Sequence, residues 1–303
     1  WAIGKDGVAP ARGRNQLVLD FTRKEIVDYV FSVVAKILRE NDISYVKWDM
    51  NRSITEVYSR ALPAERQGEF MHRYILGVYD LAGRLTGAFP DVFFEGCAGG
   101  GGRFDAGMLY YFPQIWTSDD TDAAMRTRIQ WGTSFCYPLP AMSCHASVCP
   151  NHTTRRVTPW ATRARIAHLG ATGYELDTSV MSAEDLAAVP GQVADYHAME
   201  DLVLSGDFYR LADPYGDRQF AVALVAKDGS RAHVTVMQLL RVFNCPPLRL
   251  TVPALTPDAL YRVESSMGET LTLSGKTLSE VGLIAPVHRM ADFESLTYTV
   301  TRL

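Results

Sequence analysis

A chain of 303 residues that is 47% hydrophobic and 21% charged has an ordinary globular composition, with length for one large domain or a large and a small one. A formal net charge of -4 and a pI near 6.0, with no run of Lys or Arg able to track phosphates, exclude nucleic acid as a partner. No window of about 18 apolar residues exists to span a membrane, and the start lacks the zones of a signal peptide.

The first predicted element is a helix over 22–40, where Ile26, Tyr29, Val30, Val33, Val34, Ile37 and Leu38 recur at the 3.6-residue period and Thr22 with Glu25 forms a capping box. A strand follows at 43–48, then a helix at 66–85 with Phe70, Tyr74, Ile75, Val78, Tyr79 and Leu81 on its buried stripe, then a strand at 92–95. Further strands are expected near 115–118, 141–145 and 174–176, and further helices near 122–132, 160–169 and 186–202. This alternation implies parallel strands joined by crossover helices, with five strand ends.

After about residue 205 the texture changes. Short β-rich runs at 220–226, 232–238, 248–252, 260–264, 269–273 and 296–301 are broken by Gly, Pro and Asp, which predicts an antiparallel, sandwich-like domain. The expected boundary lies at Gly206 and Asp207, dividing a β/α domain over 1–206 from a carboxyl-terminal β domain over 207–303. Five parallel strands fit either an open doubly wound sheet or most of a (β/α)8 barrel. A doubly wound sheet would offer a phosphate or dinucleotide loop, and Gly99-Gly100-Gly101-Gly102 matches neither fingerprint. The barrel is favoured, with its site at the carboxyl ends of the strands.

Two strand ends carry unusual polarity. Ile43 to Trp48 runs into Asp49, Asn51 and Arg52, and Ile115-Trp116 runs into Asp119, Asp120 and Asp122. Carboxylates at the ends of different barrel strands converge, as glycoside hydrolysis requires across a scissile bond. Lys47, Asp49 and Asn51 share one face at period 2. The plain alternative for Asp49 is a salt bridge to Lys47 or Arg52. For the second acid, Asp119 stands nearest the strand end, whereas Asp120, Thr121 or Asp122 could simply cap the next helix. Trp48 and Trp116 could wall a sugar ring or be core. The glycines after Cys97 bring backbone N–H groups close to a ligand or form a flexible loop that Arg103 and Asp105 tie down.

Five cysteines at irregular spacing build no disulfide framework, so reduced thiols and a cytoplasmic location are expected. Cys144, His145, Cys149 and His152 match no usual zinc spacing, and no metal or other cofactor is expected. His145 lacks a G-x-S-x-G partner for nucleophilic catalysis.

The segments RNQLVLD (14–20), YVKWDMNR (45–52), CAGGGGRFD (97–105), YYFPQIWTSDDTDA (110–123) and GYELD (173–177) resemble glycoside hydrolase family 36, the α-galactosidases and their raffinose-synthase relatives. The resemblance covers essentially the whole chain. It implies barrel strands four to eight followed by the family's carboxyl-terminal β domain. It implies Asp49 as nucleophile on the fourth strand, Asp119 as general acid/base on the sixth, and contacts to the galactosyl unit from Arg14, Lys47, Asn51 and Cys97 with Gly99 of its loop; Trp116 is the expected aromatic wall. The implied activity is retaining hydrolysis of melibiose- or raffinose-type α-galactosides by double displacement, in a homo-oligomer of the full-length protein.

Family members are more than twice this long, and they carry a large amino-terminal β domain and barrel strands one to three ahead of the region where Trp1 falls. A start at Trp1 rather than Met agrees with an upstream part, so the expectation is a piece of a longer enzyme. Transfer of galactose to another sugar is the alternative within the same chemistry. A truncated, non-catalytic carbohydrate-binding or assembly component is the alternative outside it.

Overall fold

In a computed structural model the chain is described over residues 1–216 and 218–303, and it divides into two compact units, Trp1–Asp119 and Asp120–Leu303.

The first unit alternates helix and strand: α1 Lys24–Glu40, β1 Tyr45–Asp49, α2 Phe70–Ala88, β2 Phe93–Cys97, a short α3 Ala106–Tyr111 and β3 Gln114–Trp116. β1 pairs in parallel with β2, placing Tyr45 opposite Phe93, Lys47 opposite Glu95 and Asp49 opposite Cys97. β2 pairs in parallel with β3, with Glu95 opposite Gln114 and Gly96 opposite Ile115. α2 forms on a buried apolar stripe, whereas in α1 only part of the expected face is covered: Tyr29, Val33 and Ile37 are exposed. Ile26, Val27 and Leu38 of α1 and Phe70, Tyr74, Val78, Leu81 and Leu85 of α2 are buried with Phe94, Phe112 and Ile115 in one core. Each such side chain contributes about 1.5–3 kcal/mol by leaving water. Gly77 in α2, a residue that weakens a helix interior by about 1 kcal/mol, is required by close approach: a Cβ there would lie 1.9 Å from the Phe21 carbonyl oxygen.

Three expectations shift in this unit. The capping box is not formed, because α1 begins at Lys24 with Arg23 as its uncapped N-cap. Buried Asp20 captures the Thr22 hydroxyl at 2.6 Å, and Glu25 pairs with Arg23. The helix expected over 66–85 begins instead with a 3-10 segment, Ala64–Glu69, before α2. The six-residue α3 carried too few apolar positions to show a period; Asp105 caps it by accepting from Met108 N at 2.9 Å.

The second unit holds α4 Ala123–Thr133, β4 Met142–Ser147, α5 Trp160–Ala167, β5 Ala171–Glu175 and α6 Ala183–Ser205, with β4 and β5 parallel. With β1 to β3, this gives the five parallel strands that the alternation requires. Across Gly206 the chain passes directly from α6 into β6 Asp207–Ala212. There follow β7 Gln219–Val225, β8 Arg231–Gln238, β9 Leu248–Leu250, β10 Leu260–Ser265, β11 Thr270–Ser274, β12 Leu283–Ala285 and β13 Ser295–Arg302. Six of them form an antiparallel sheet in the order β11-β10-β13-β8-β7-β6, and β12 pairs with β9 in a separate ribbon. Alternating Ala221, Ala223, Val225 and Ala232, Val234, Val236 fill the core beneath it. Among the described residues no helix is long and apolar enough to cross a membrane.

Candidate active site

Pleating sorts the residues of β1 to β3 into two faces. Val46, Trp48, Phe94 and Ile115 pack on the helices. Tyr45, Lys47, Asp49, Glu95, Cys97, Gln114 and Trp116 occupy the opposite face, which is therefore polar. The two tryptophans do not form one wall: a strand's period of 2 sends Trp48 into the helix-side core, while Trp116 lies on the polar face under Lys47, whose Nζ is 4.1 Å from its ring centroid.

Two rows of side chains cross this face. In the lower row, fully buried Glu95 sits between neighbours on both sides: Lys47 Nζ lies 3.6 Å from Oε1, Gln114 Nε2 donates to Oε2 at 3.0 Å, and the Tyr45 hydroxyl also donates to Oε2. In the upper row, Asp49 lies beside Cys97. Burial, together with the hydrogen bond to Asp49, pushes the Cys97 thiol up to about 11, so it stays protonated and donates. Asn51 donates from Nδ2 to Asp49 Oδ2 and accepts from Gly99 N at 2.8 Å through Oδ1.

The salt bridge weighed for Asp49 is absent. Lys47 pairs with Glu95, Arg52 pairs with Glu56 at 3.7 Å, and among the described residues no Lys or Arg lies within 4.0 Å of the Asp49 carboxylate. Glu95 escaped sequence reasoning. Its signal was available in Phe93-Phe94-Glu95-Gly96-Cys97, a charged residue in a buried strand two positions before Cys97 and hence on the same face.

The glycine loop is an ordered connector. Met50 N donates to Cys97 O at 2.9 Å and Arg103 Nη1 to Met50 O at 3.0 Å, which ties the loop to the end of β1. Gly100 has φ +79°, and a Cβ there would lie 2.9 Å from Asp119 N and 3.1 Å from Ser118 Cα. A Cβ on Gly101 would lie 2.6 Å from Thr117 O. The loop thus lies against the backbone that carries Asp119, an approach only glycine permits. Trp116 Nε1 donates to Asp119 Oδ1 at 3.0 Å, so Asp119 is held by the same ring that Lys47 covers.

The remaining candidates stand apart. Arg14 sits in an exposed turn at φ 54°, closed by Gln16 N donating to Gly13 O at 2.9 Å. Among the described residues no hydrogen bond or ion pair joins Arg14 to Asp49 or Asp119. A cleft of about 290 Å³ opens beside Asp49 and Asn51 toward Leu17, Leu19, Trp48 and Arg103, without Asp119 on its wall. Asp122 is the N-cap of α4, accepting from Ala124 N at 3.1 Å and Thr154 Oγ1 at 2.8 Å and pairing with Arg156. Asp120 accepts from Asp122 N at 3.1 Å; burial raises its pKa against the pull of Arg156, Arg126 and His152.

The sequence profile described as Melibiase matches residues 1–206, and that of the Glycosyl hydrolase family 36 C-terminal domain matches 219–300. The chain belongs to glycoside hydrolase family 36. It is 44% identical to the bifunctional alpha-galactosidase/sucrose kinase AgaSK of Mediterraneibacter gnavus over 100% of its own length and 31% of that protein's. It is 42% identical to the alpha-galactosidase AgaA of Geobacillus stearothermophilus over 98% of its length and 40% of that protein's. The chain therefore spans 31% to 40% of the length of these curated relatives.

The crystal structure of AgaA superposes with a TM-score of 0.95 at 41% identity, over 100% of this chain and 42% of that one. This likeness decides between the two sheet architectures: the fold is a curled parallel half-barrel followed by an antiparallel β domain. AgaA has also been solved with raffinose in a variant with one aspartate changed to asparagine, and with stachyose in a variant with another changed to alanine. Those two aspartates lie 70 residues apart.

Proposed function

We propose that this chain supplies both catalytic carboxylates of a retaining α-galactosidase acting on melibiose- and raffinose-type oligosaccharides. One observation carries the reading. Asp49 ends β1 and Asp119 lies just beyond β3, on one polar face with β2 between them; the glycine loop after β2 bridges the two, and they lie 70 residues apart. That is the separation of the aspartates replaced in the AgaA complexes with raffinose and stachyose.

In the proposed mechanism Asp49 attacks the anomeric carbon as the glycosidic bond breaks, and Asp119 gives its proton to the departing oxygen. Asp119 then takes a proton from water, the water oxygen bonds to the anomeric carbon, and Asp49 is released. Lack of a cationic partner suits Asp49 to attack. Lys47, Asn51 and the Cys97 thiol contact the sugar hydroxyls, with Gly99 N holding Asn51; Trp116 forms the apolar wall, and Arg14 would add its contact to the galactosyl unit from its exposed turn. The domain division falls at residues 206 and 207, supported by the end of α6 at Ser205 and the start of β6 at Asp207. Free thiols at all five cysteines accord with a cytoplasmic location.

Azide rescue of the whole natural polypeptide tests the assignment. With Asp49→Ala, azide should attack an aryl α-galactoside directly and give the β-galactosyl azide. With Asp119→Ala, azide should intercept the glycosyl-enzyme and give the α-galactosyl azide. The opposite pair of products would reverse the roles, and undiminished hydrolysis by both variants would leave a binding or assembly component.

A further inference from the structure

Glu95 is a carboxylate with no place in the double displacement, yet it is fully buried at the centre of the polar face. An ionised carboxylate is tolerated there only if paired and hydrogen-bonded. Tyr45 and Gln114 donate to Oε2 from the strands on either side, while Oε1 accepts no hydrogen bond and has the Lys47 ammonium at 3.6 Å as its counter-charge. Tyr45 in turn is held as the neutral phenol, its pKa raised by burial and by the bond to Glu95.

Lys47 has two anions in reach on this face, Glu95 on the neighbouring strand and Asp49 two residues along its own. It takes Glu95. We infer that Glu95 is a positioning residue: its charge draws the Lys47 ammonium away from Asp49 and over the Trp116 ring, leaving Asp49 free of a cation and Trp116 Nε1 aimed at Asp119. The inference rests on the proposed roles of Asp49 and Asp119. The groups facing Asp49 are Lys47 and Asn51 from β1 and the residues just after it, Cys97 and Glu95 from β2, Gly99 through Asn51, and Arg52 and Arg103 on the wall of the cleft beside it. With Glu95 neutral, Lys47 has Asp49 as its nearest anion on the face, and an ion-paired carboxylate is a weaker nucleophile.

The test uses the whole natural polypeptide and an aryl α-galactoside. Glu95→Gln keeps the side chain's size and an acceptor for Tyr45 but removes the charge. It should lower kcat at least tenfold and move the acid limb of the kcat/KM profile to lower pH, since Asp49 would gain a cation and lose a neighbouring anion. Tyr45→Phe removes a hydrogen bond to Glu95 but no charge, so it should leave that limb in place. An unmoved limb with kcat within twofold in Glu95→Gln overturns the inference, as does an equal displacement in Tyr45→Phe.

Should Glu95→Gln not fold, the double variant Lys47→Met/Glu95→Gln removes both members of the pair together. Its activity should match Lys47→Met alone, because Glu95 acts through Lys47; a further tenfold loss would overturn the inference. Asp49→Ala separates the two ideas. If it remains active, the functional reading fails; if it is inactive while the Glu95 variants behave as wild type, only the positioning role fails.

Discussion

Trp116 Nε1 donates to Asp119 Oδ1 at 3.0 Å while the face of the same indole lies 4.1 Å from Lys47 Nζ. One ring thereby links the cation of β1 to the acid beyond β3. Such a hydrogen bond is worth about 0.5–1.5 kcal/mol net, and its geometry fixes which Asp119 oxygen remains for the leaving group. Trp116→Phe should reduce turnover of raffinose about tenfold or more. It should reduce turnover of a 4-nitrophenyl galactoside far less, since that leaving group needs little protonation. Equal losses on both substrates would argue that the indole serves binding alone.

Gly100→Ala tests the loop. The substitution forces a side chain onto a left-handed backbone, costing about 1–2 kcal/mol, and drives its Cβ to 2.9 Å from Asp119 N. Activity should fall more than tenfold with only a few degrees lost in Tm. Unchanged kcat/KM would show that the loop does not position Asp119.

Asp122 is expected to matter for stability. Its carboxylate is fully buried, caps α4 and pairs with Arg156. Removing one member of such a pair strands the other, so Asp122→Ala should destabilise the protein by on the order of 3 kcal/mol in urea unfolding. A change under 1 kcal/mol would assign the stability elsewhere.

Acid should weaken the second unit. Burial, with Arg165 adding, lowers His168 to about 4, and burial, His168 and Arg165 lower His233 to about 4. The unfolded chain takes up a proton near pH 6.5 that the folded chain refuses until about pH 4, so stability is fully present above 6.5 and lost as pH falls between those values. For His168 this amounts to about 2 kcal/mol between pH 7 and pH 5. His168→Phe should flatten that part of the decline; an equally steep decline in the variant would contradict the linkage.

Most of the elements, and the candidates for the two carboxylates, were legible from the chain alone. Apolar stripes at 3.6 residues and short apolar runs made α1, α2 and the five parallel strands legible, because those periods are local properties of the chain. Asp49 and Asp119 were legible because each abruptly ends an apolar strand. Partner choice was decided only by the tertiary structure. Thr22 had Glu25 three residues away but gave its hydroxyl to buried Asp20; Lys47 had Asp49 two residues away but paired with Glu95 on the next strand. Trp48 and Trp116 read alike as strand tryptophans, yet fell on opposite faces. For Thr22 the burial of Asp20 beside Ser59 decided the partner; for Lys47 and the tryptophans strand register did, and register depends on the neighbouring strand rather than on spacing along the chain.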